Sequence, residues 1–228
     1  MILISYPKLI PASDRAILVK FGDSITKDLH KQVFSFTKYL LNHPKDEIMN
    51  IHPAYNSIMV SLSNSAQLDQ INTYLKDALT HYDIEIESKT RTVEIPLVYG
   101  GEYGPDLKRI SNYSGKSESE VIKLHSEAIY TVNFIGFSIG FPYCSGMDES
   151  ISTPRLETPR KLVDAGSVGI AGNQTGIYPL SSPGGWNLIG KTPKTIFNTK
   201  NPENSYLKMG DQIRFVSIAE EEFQKVSS

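Results

Sequence analysis

The residues best placed to do chemistry are two arginines in a short repeat. Thr153-Pro154-Arg155 and Thr158-Pro159-Arg160 put each guanidinium directly behind a proline, whose fixed φ stiffens the loop. A planar fork held in this way could grip a carboxylate or a phosphate through two parallel hydrogen bonds. Phe137, Phe141, Tyr143, Tyr178 and Trp186 fall among glycines in the same stretch, from Phe134 to Pro193. They offer ring faces beside backbone that a ligand can approach. Each feature has a plainer alternative: barrel corners for the glycines, core packing for the rings.

Other chemistries find no support. There is no G-x-x-x-x-G-K-[ST] phosphate loop, no H-E-x-x-H and no G-x-S-x-G. The histidines at 30, 43, 52, 81 and 125 lack metal-ligand spacing, and the first four occupy surface-like helix or turn positions. The single cysteine, Cys144, excludes an internal disulfide framework and an all-cysteine zinc site, and fits a reducing compartment. With 23 basic and 25 acidic residues, the formal charge is −2, which supplies no pull toward nucleic acid or an anionic membrane. No apolar run approaches the ~18 residues of a membrane span. The first residues lack the features of a secretory signal. The expectation is a cytoplasmic protein that binds neither nucleic acid nor membrane.

The elements that must position these residues divide at an uneven distribution of glycine. Of 16 glycines, 10 lie between Gly136 and Gly190, and only Gly22 lies in the first 88 residues. Within 228 residues this predicts two domains, residues 1–90 and 91–228. In the first, Ala16 to Phe21 reads as a strand, ended by Gly22-Asp23-Ser24, which also offers a helix N-cap. Ile25, Leu29, Val33, Phe36 and Leu40 then form a helical stripe. Strands follow at Ile48–Ile51 and Ile58–Leu62, then a helix carrying Leu68, Ile71, Leu75 and Leu79. Tyr82, Ile84 and Ile86 alternate with acidic residues as a last strand. Strand, helix, strand, strand, helix, strand is the ferredoxin-like split βαβ order.

In the second domain, Val93, Ile95 and Leu97 continue as strand. Ser117 and Glu120 form a capping box that opens a helix through His125. Beyond Ile129 the pattern is strand and turn to the end. Val168–Gly172 and Gly176–Leu180 form a hairpin around Asn173-Gln174-Thr175. A small barrel of short strands results, so the fold class is α+β.

Six ordered motifs carry a resemblance. They are YGGEYGPDL (99–107), VIKLHS (121–126), GFSIGFPY (136–143), the paired TPR, AGSVGIAGNQTGIYP (165–179) and SPGGWNLIGKTP (182–193), with GDQIRF (210–215) beyond them. The chain resembles the KipI / allophanate hydrolase subunit 1 family. The resemblance implies a small ferredoxin-like α/β domain followed by a cyclophilin-like β-barrel.

It further implies the B subunit of an ATP-dependent 5-oxoprolinase, working with a sister barrel chain, the C subunit, and with an A subunit. ATP, with magnesium, would be bound together with the partner chain. Two other roles implied by the family stay open: an inhibitor that binds a sensor histidine kinase, and a subunit of an allophanate or urea amidolyase-type enzyme. Carried over by motif, Glu102, Asp106 and His125 are the catalytic candidates. His125 would be a general acid/base or a substrate contact, with a packed helix-face histidine as the alternative. Phe141, Tyr143, Arg155, Arg160, Gln174, Tyr178 and Trp186 are the substrate-binding candidates. Ile139 stands where the family has proline, and Cys144-Ser145-Gly146 where it has Leu-Gly-Gly, changes that leave the fold alone and bear on the substrate.

Overall fold

The apolar periodicity of the first third of the chain becomes two helices packed on a sheet. The computed structural model describes residues 6–84, 91–136, 138–201 and 204–227. It divides into two compact units, Met1–Lys89 and Thr90–Ser228.

In the first unit, β1 (Lys8–Ser13), β2 (Ala16–Lys20), β3 (Ile48–Pro53) and β4 (Ser57–Leu62) form an antiparallel sheet in the order β1-β2-β4-β3. Period-two alternation puts Ile17, Val19, Ile58, Val60 and Leu62 on one buried face. Helices α1 (Lys27–Asn42) and α2 (Leu68–His81) supply Val33, Phe36, Leu40, Ile71, Leu75 and Ala78 to the core of this unit. Burying each large aliphatic or aromatic side chain there contributes roughly 1.5–3 kcal/mol before entropy is counted. Helix α1 starts later than expected. Thr26 is its N-cap, accepting from the Leu29 N–H, and Ile25 lies outside the helix and exposed. His30 is buried on α1 rather than solvated.

The inner strands keep the split βαβ order, but the edge beside β2 is occupied by β1. Residues 82–84 form no strand, and the remainder of the expected Tyr82–Glu87 strand lies outside the described residues. A six-residue hairpin partner adjacent in sequence reaches that edge with very little loop to close.

In the second unit, β5 (Thr92–Tyr99), β6 (Tyr130–Ile135), β7 (Pro142–Ser145), β9 (Ser167–Ala171), β10 (Gln174–Ile177), β12 (Asn187–Lys191) and β13 (Gln212–Ser217) close into a barrel. The order is β10-β7-β6-β13-β5-β12-β9, and β10 returns to β9. Closure removes free sheet edges. The β13–β5 pairing is parallel and the others are antiparallel. Ile95, Leu97, Val132, Cys144, Val168, Ile170, Ile177, Ile189, Ile213 and Phe215 fill the interior. Gly190 faces the Val98 carbonyl so closely that a Cβ would collide with it, so this crossing needs glycine. A separate pair, β8 (Arg160–Val163) with β11 (Ser182–Gly184), lies outside the barrel ladder.

Three helices complete this unit. The α4 helix (Glu118–Glu127) opens on the capping box, with Ser117 and Glu120 satisfying each other's backbone N–H. Helix α3 (Leu107–Ser114) follows the YGGEYGPDL motif, and α5 (Glu220–Ser227) corrects the expectation of strand and turn to the end. Each is two turns long, too short for its apolar spacing to declare a period. The β9–β10 turn is tighter than expected: Gly172, at φ +58°, and Asn173 make it, and Gln174 already pairs with Ala171. No helix of the described residues is long and apolar enough to cross a membrane.

Candidate functional site

Strand ends and loops of the barrel bring four of the expected aromatics into one cluster. Phe141 precedes β7, Tyr143 lies on it, Tyr178 follows β10 and Trp186 precedes β12. The Phe141 ring meets Tyr178 edge-on at 5.2 Å and Trp186 at 5.3 Å, and Tyr143 meets Trp186 at 5.7 Å. Val163, Ala171 and Leu188 pack with them. Edge-to-face pairs of this kind add ~0.5–1.5 kcal/mol each beyond their buried area, so the cluster is a stable floor in its own right.

Both TPR arginines border that floor. Arg155 is exposed, with its guanidinium carbon 5.9 Å from the centre of the Trp186 ring. Arg160 opens β8, and its Nη2 donates to Asp106 Oδ1 at 2.7 Å. The other Asp106 oxygen accepts from the Leu188 N–H at 2.7 Å, while the Asp106 N–H donates to the Leu188 carbonyl at 2.9 Å. Asp106 stands at the N-terminus of α3 but makes no side-chain cap there. Its carboxylate instead ties the YGGEYGPDL loop to β12 and to Arg160. The Arg160 Nη1 atom is buried and has no hydrogen-bond partner.

A second tie fixes the first TPR loop. Arg109 Nε donates to Asn187 Oδ1 at 2.9 Å, and Asn187 Nδ2 donates to the carbonyls of Pro154 and Ile170 at 2.9 and 3.0 Å. Pro154, the residue before Arg155, is thereby anchored to the barrel wall. Gly184 pairs with Arg160 across β8–β11, and a Cβ at Gly184 would collide with the Tyr178 hydroxyl. Tyr178 therefore reaches under that pair, beside Arg160. Burial raises its phenol pKa, against the pull of the Trp186 backbone N–H and of the charges of Arg155 and Arg160. Burial likewise raises the Tyr143 phenol, against the pull of Arg155.

Of the three catalytic candidates, Asp106 joins this cluster through Arg160, while His125 and Glu102 make no bond to it among the described residues. His125 is fully buried inside the barrel, against Tyr99, Tyr130 and Phe215. Thr175 Oγ1 donates to the Gly169 carbonyl at 3.1 Å, so it accepts from His125 Nε2–H at 3.0 Å. The bare Nδ1 then accepts from the Tyr99 hydroxyl at 2.8 Å. Desolvation lowers the imidazole pKa to about 3, so the ring is neutral with both nitrogens engaged. This burial leaves it no face for a substrate. Glu102 is exposed on a turn between glycines Gly101 and Gly104. Gln174 is half-buried and starts β10 opposite Ala171, at the margin of the aromatic floor.

Phe137 lies outside the described residues. Ile139, in place of the family proline, is exposed, and Cys144 is buried in β7 opposite Thr175, where desolvation pushes its thiol far up. Among the described residues no group of three or more His, Cys, Asp or Glu side chains could hold a metal ion. Sequence reasoning missed Arg109, Asn187, Tyr99 and Thr175. Tyr99, Thr175 and Asn187 lie within the YGGEYGPDL, AGSVGIAGNQTGIYP and SPGGWNLIGKTP motifs, which was the available signal; Arg109 lies in none.

Comparison with known proteins agrees with the motif resemblance. The family described as carboxyltransferase domain, subdomain C and D, matches residues 7–207. The 5-oxoprolinase B subunit of Bacillus subtilis (strain 168) is 36% identical over 221 residues, covering 92% of this chain and 92% of the relative. The 5-oxoprolinase B subunit of Escherichia coli O157:H7 is 40% identical over 205 residues, covering 89% and 92%. The crystal structure of TTHA0988 is 30% identical with a TM-score of 0.78; the match covers 90% of this chain and 40% of that longer chain.

Proposed function

The chain belongs to the family of carboxyltransferase-domain subdomains C and D, and we propose that it is the B subunit of an ATP-dependent 5-oxoprolinase. The observation that carries this reading is 36% identity to such a protein over 92% of both chains. The barrel is read as cyclophilin-like, and the N-terminal unit as a ferredoxin-like variant with β1 at its edge.

In this reading Arg155, Arg160, Tyr143, Tyr178, Trp186 and Phe141 meet the small amide substrate, with Gln174 at the margin. Asp106 acts as a positioning residue. It spends both oxygens on Arg160 and the Leu188 N–H and so fixes the plane of the guanidinium. His125 is a pin that joins α4 to β5 and β10 through Tyr99 and Thr175. The exposed Glu102 faces outward, where a partner chain can reach it.

The nucleotide does not fit this cluster. The chain carries no G-x-x-x-x-G-K-[ST] loop to cradle a triphosphate beside it. ATP and its magnesium belong mainly to the partner side, and activity requires the sister barrel chain and the A subunit. Support for such partnership comes from the relatives that are themselves B subunits of 5-oxoprolinases. The assembly is cytoplasmic.

Co-expression of the three subunits, assayed for 5-oxoproline-dependent ATP turnover, tests the reading. Turnover is expected with this chain in place. Its absence, in an assembly that works when the Bacillus subtilis relative is substituted, would overturn it.

A further inference from the structure

We propose, resting on the functional reading above for the identity of the substrate, that the Arg160 cluster is a carboxylate-binding site. It holds the substrate's carboxylate between Arg160 Nη1, the Tyr178 hydroxyl and Arg155, and leaves the ring amide to be acted on elsewhere.

The donors and acceptors of the cluster do not balance. Arg160 cannot lose its proton, and each of its terminal nitrogens carries two N–H groups. Nη2 is committed to Asp106, but Nη1 is buried with nothing to donate to. A buried charged donor without an acceptor is among the costlier defects a folded protein can carry. It is retained because Asp106, held by the Leu188 N–H, fixes the guanidinium in place. Tyr178 adds a second unspent donor. Its hydroxyl lies against Gly184, beside Arg160, and donates no hydrogen bond among the described residues, and burial keeps the group a phenol. Arg155, over Trp186, adds a third, and no ion pair of Arg155 occurs among the described residues.

Three donors side by side, two of them guanidinium groups, call for a ligand group rich in acceptors. An ionised carboxylate is such a group, with four lone-pair directions on two oxygens. A lactam amide matches less well, because it brings one acceptor oxygen and an N–H of its own to a site of guanidinium donors. Of the floor's rings, Tyr143 is half-buried and keeps surface for a small ring that carries the carboxylate, while Phe141 and Trp186 are buried beneath it.

Trp186 is the one tryptophan of the chain, so its emission reports on the site. The full chain is titrated with 5-oxoproline, with 2-pyrrolidinone, which is the same ring without the carboxylate, and with inorganic phosphate. A saturable change is expected with 5-oxoproline, and affinity at least ~10-fold weaker for the other two. Arg160→Gln, Arg155→Gln and Tyr178→Phe are each expected to weaken 5-oxoproline by a similar ~10-fold. Circular dichroism checks that each variant folds. Tyr178→Phe keeps the test sharp if Arg160→Gln does not fold, since it leaves the Asp106 pair intact. Equal affinity for 2-pyrrolidinone, tighter binding of phosphate, unchanged affinity in the folded variants, or no saturable change with 5-oxoproline overturns the site. The functional reading is decided separately: an Arg160→Gln assembly that turns over 5-oxoproline with an unchanged KM keeps the function and overturns the site.

Discussion

The buried imidazole of His125 makes the stability of the barrel unit depend on pH in a calculable way. Its folded pKa is about 3, against 6.5 for an exposed histidine. The folded protein therefore keeps His125 neutral where the unfolded chain takes up a proton. The stability is fully present above pH 6.5 and is lost as pH falls from there toward 3. Each pH unit well below 6.5 costs about 1.4 kcal/mol, so moving from pH 7 to pH 5 costs about 2 kcal/mol from this group alone. The loss levels off near about 5 kcal/mol as the folded group itself begins to protonate. The pH 5 figure hardly depends on the folded value, because a group with pKa 3 stays neutral there.

Urea unfolding followed by Trp186 emission at pH 7, 6 and 5 measures this, in the native chain and in His125→Gln. Other titrating groups contribute equally to both chains and cancel in the difference of slopes. Gln cannot titrate, so the native chain should lose about 2 kcal/mol more than the variant between pH 7 and pH 5. The variant's lower stability at pH 7 does not enter that comparison. Equal slopes in the two chains would mean that the ring is solvated or charged, and would refute its burial between Tyr99 and Thr175.

Three further outcomes follow from the same geometry. Asp106→Asn leaves one acceptor for the two donors Arg160 Nη2 and Leu188 N; it should lower barrel stability by roughly 2–4 kcal/mol in urea unfolding, and a change below ~0.5 kcal/mol counts against the cross-link. Gly184→Ala drives a methyl into the Tyr178 hydroxyl; it should cost about 1–3 kcal/mol and raise KM for 5-oxoproline more than it lowers kcat, and an unaltered KM speaks against Tyr178 as a contact. Cys144 is buried with its thiol raised by desolvation; it should resist a thiol reagent at pH 8 in native buffer and react fully in urea, and rapid native labelling would contradict its place in the core.

Local chemistry was legible in the sequence because its causes are local. The Ser117/Glu120 capping box lies within four residues and opens α4 as expected. The stripes of α1 and α2 and the alternation in β2 and β4 emerge as the buried faces of the first unit. Glycine density foretold tight turns and close crossings, which Gly172, at φ +58°, and Gly190, against the Val98 carbonyl, respectively supply. Helices α3 and α5 escaped because two turns do not establish a period. The β1 hairpin escaped because Lys8–Ser13 contains a proline and alternates poorly.

The sequence alone determined the family, the class of architecture and the residue types of the candidate site. Six ordered motifs and two proline-backed arginines suffice for that. Only the tertiary structure decided what those residues do for one another. Arg160 meets Asp106 across 54 positions, His125 meets Thr175 across 50, and Arg91 meets Asp211 across 120. Side-chain identity states which bonds a group can make; which bonds it has already spent depends on neighbours that barrel closure brings together. His125 therefore moved from catalytic candidate to a group sealed within the core, while Arg160 keeps one buried nitrogen unspent.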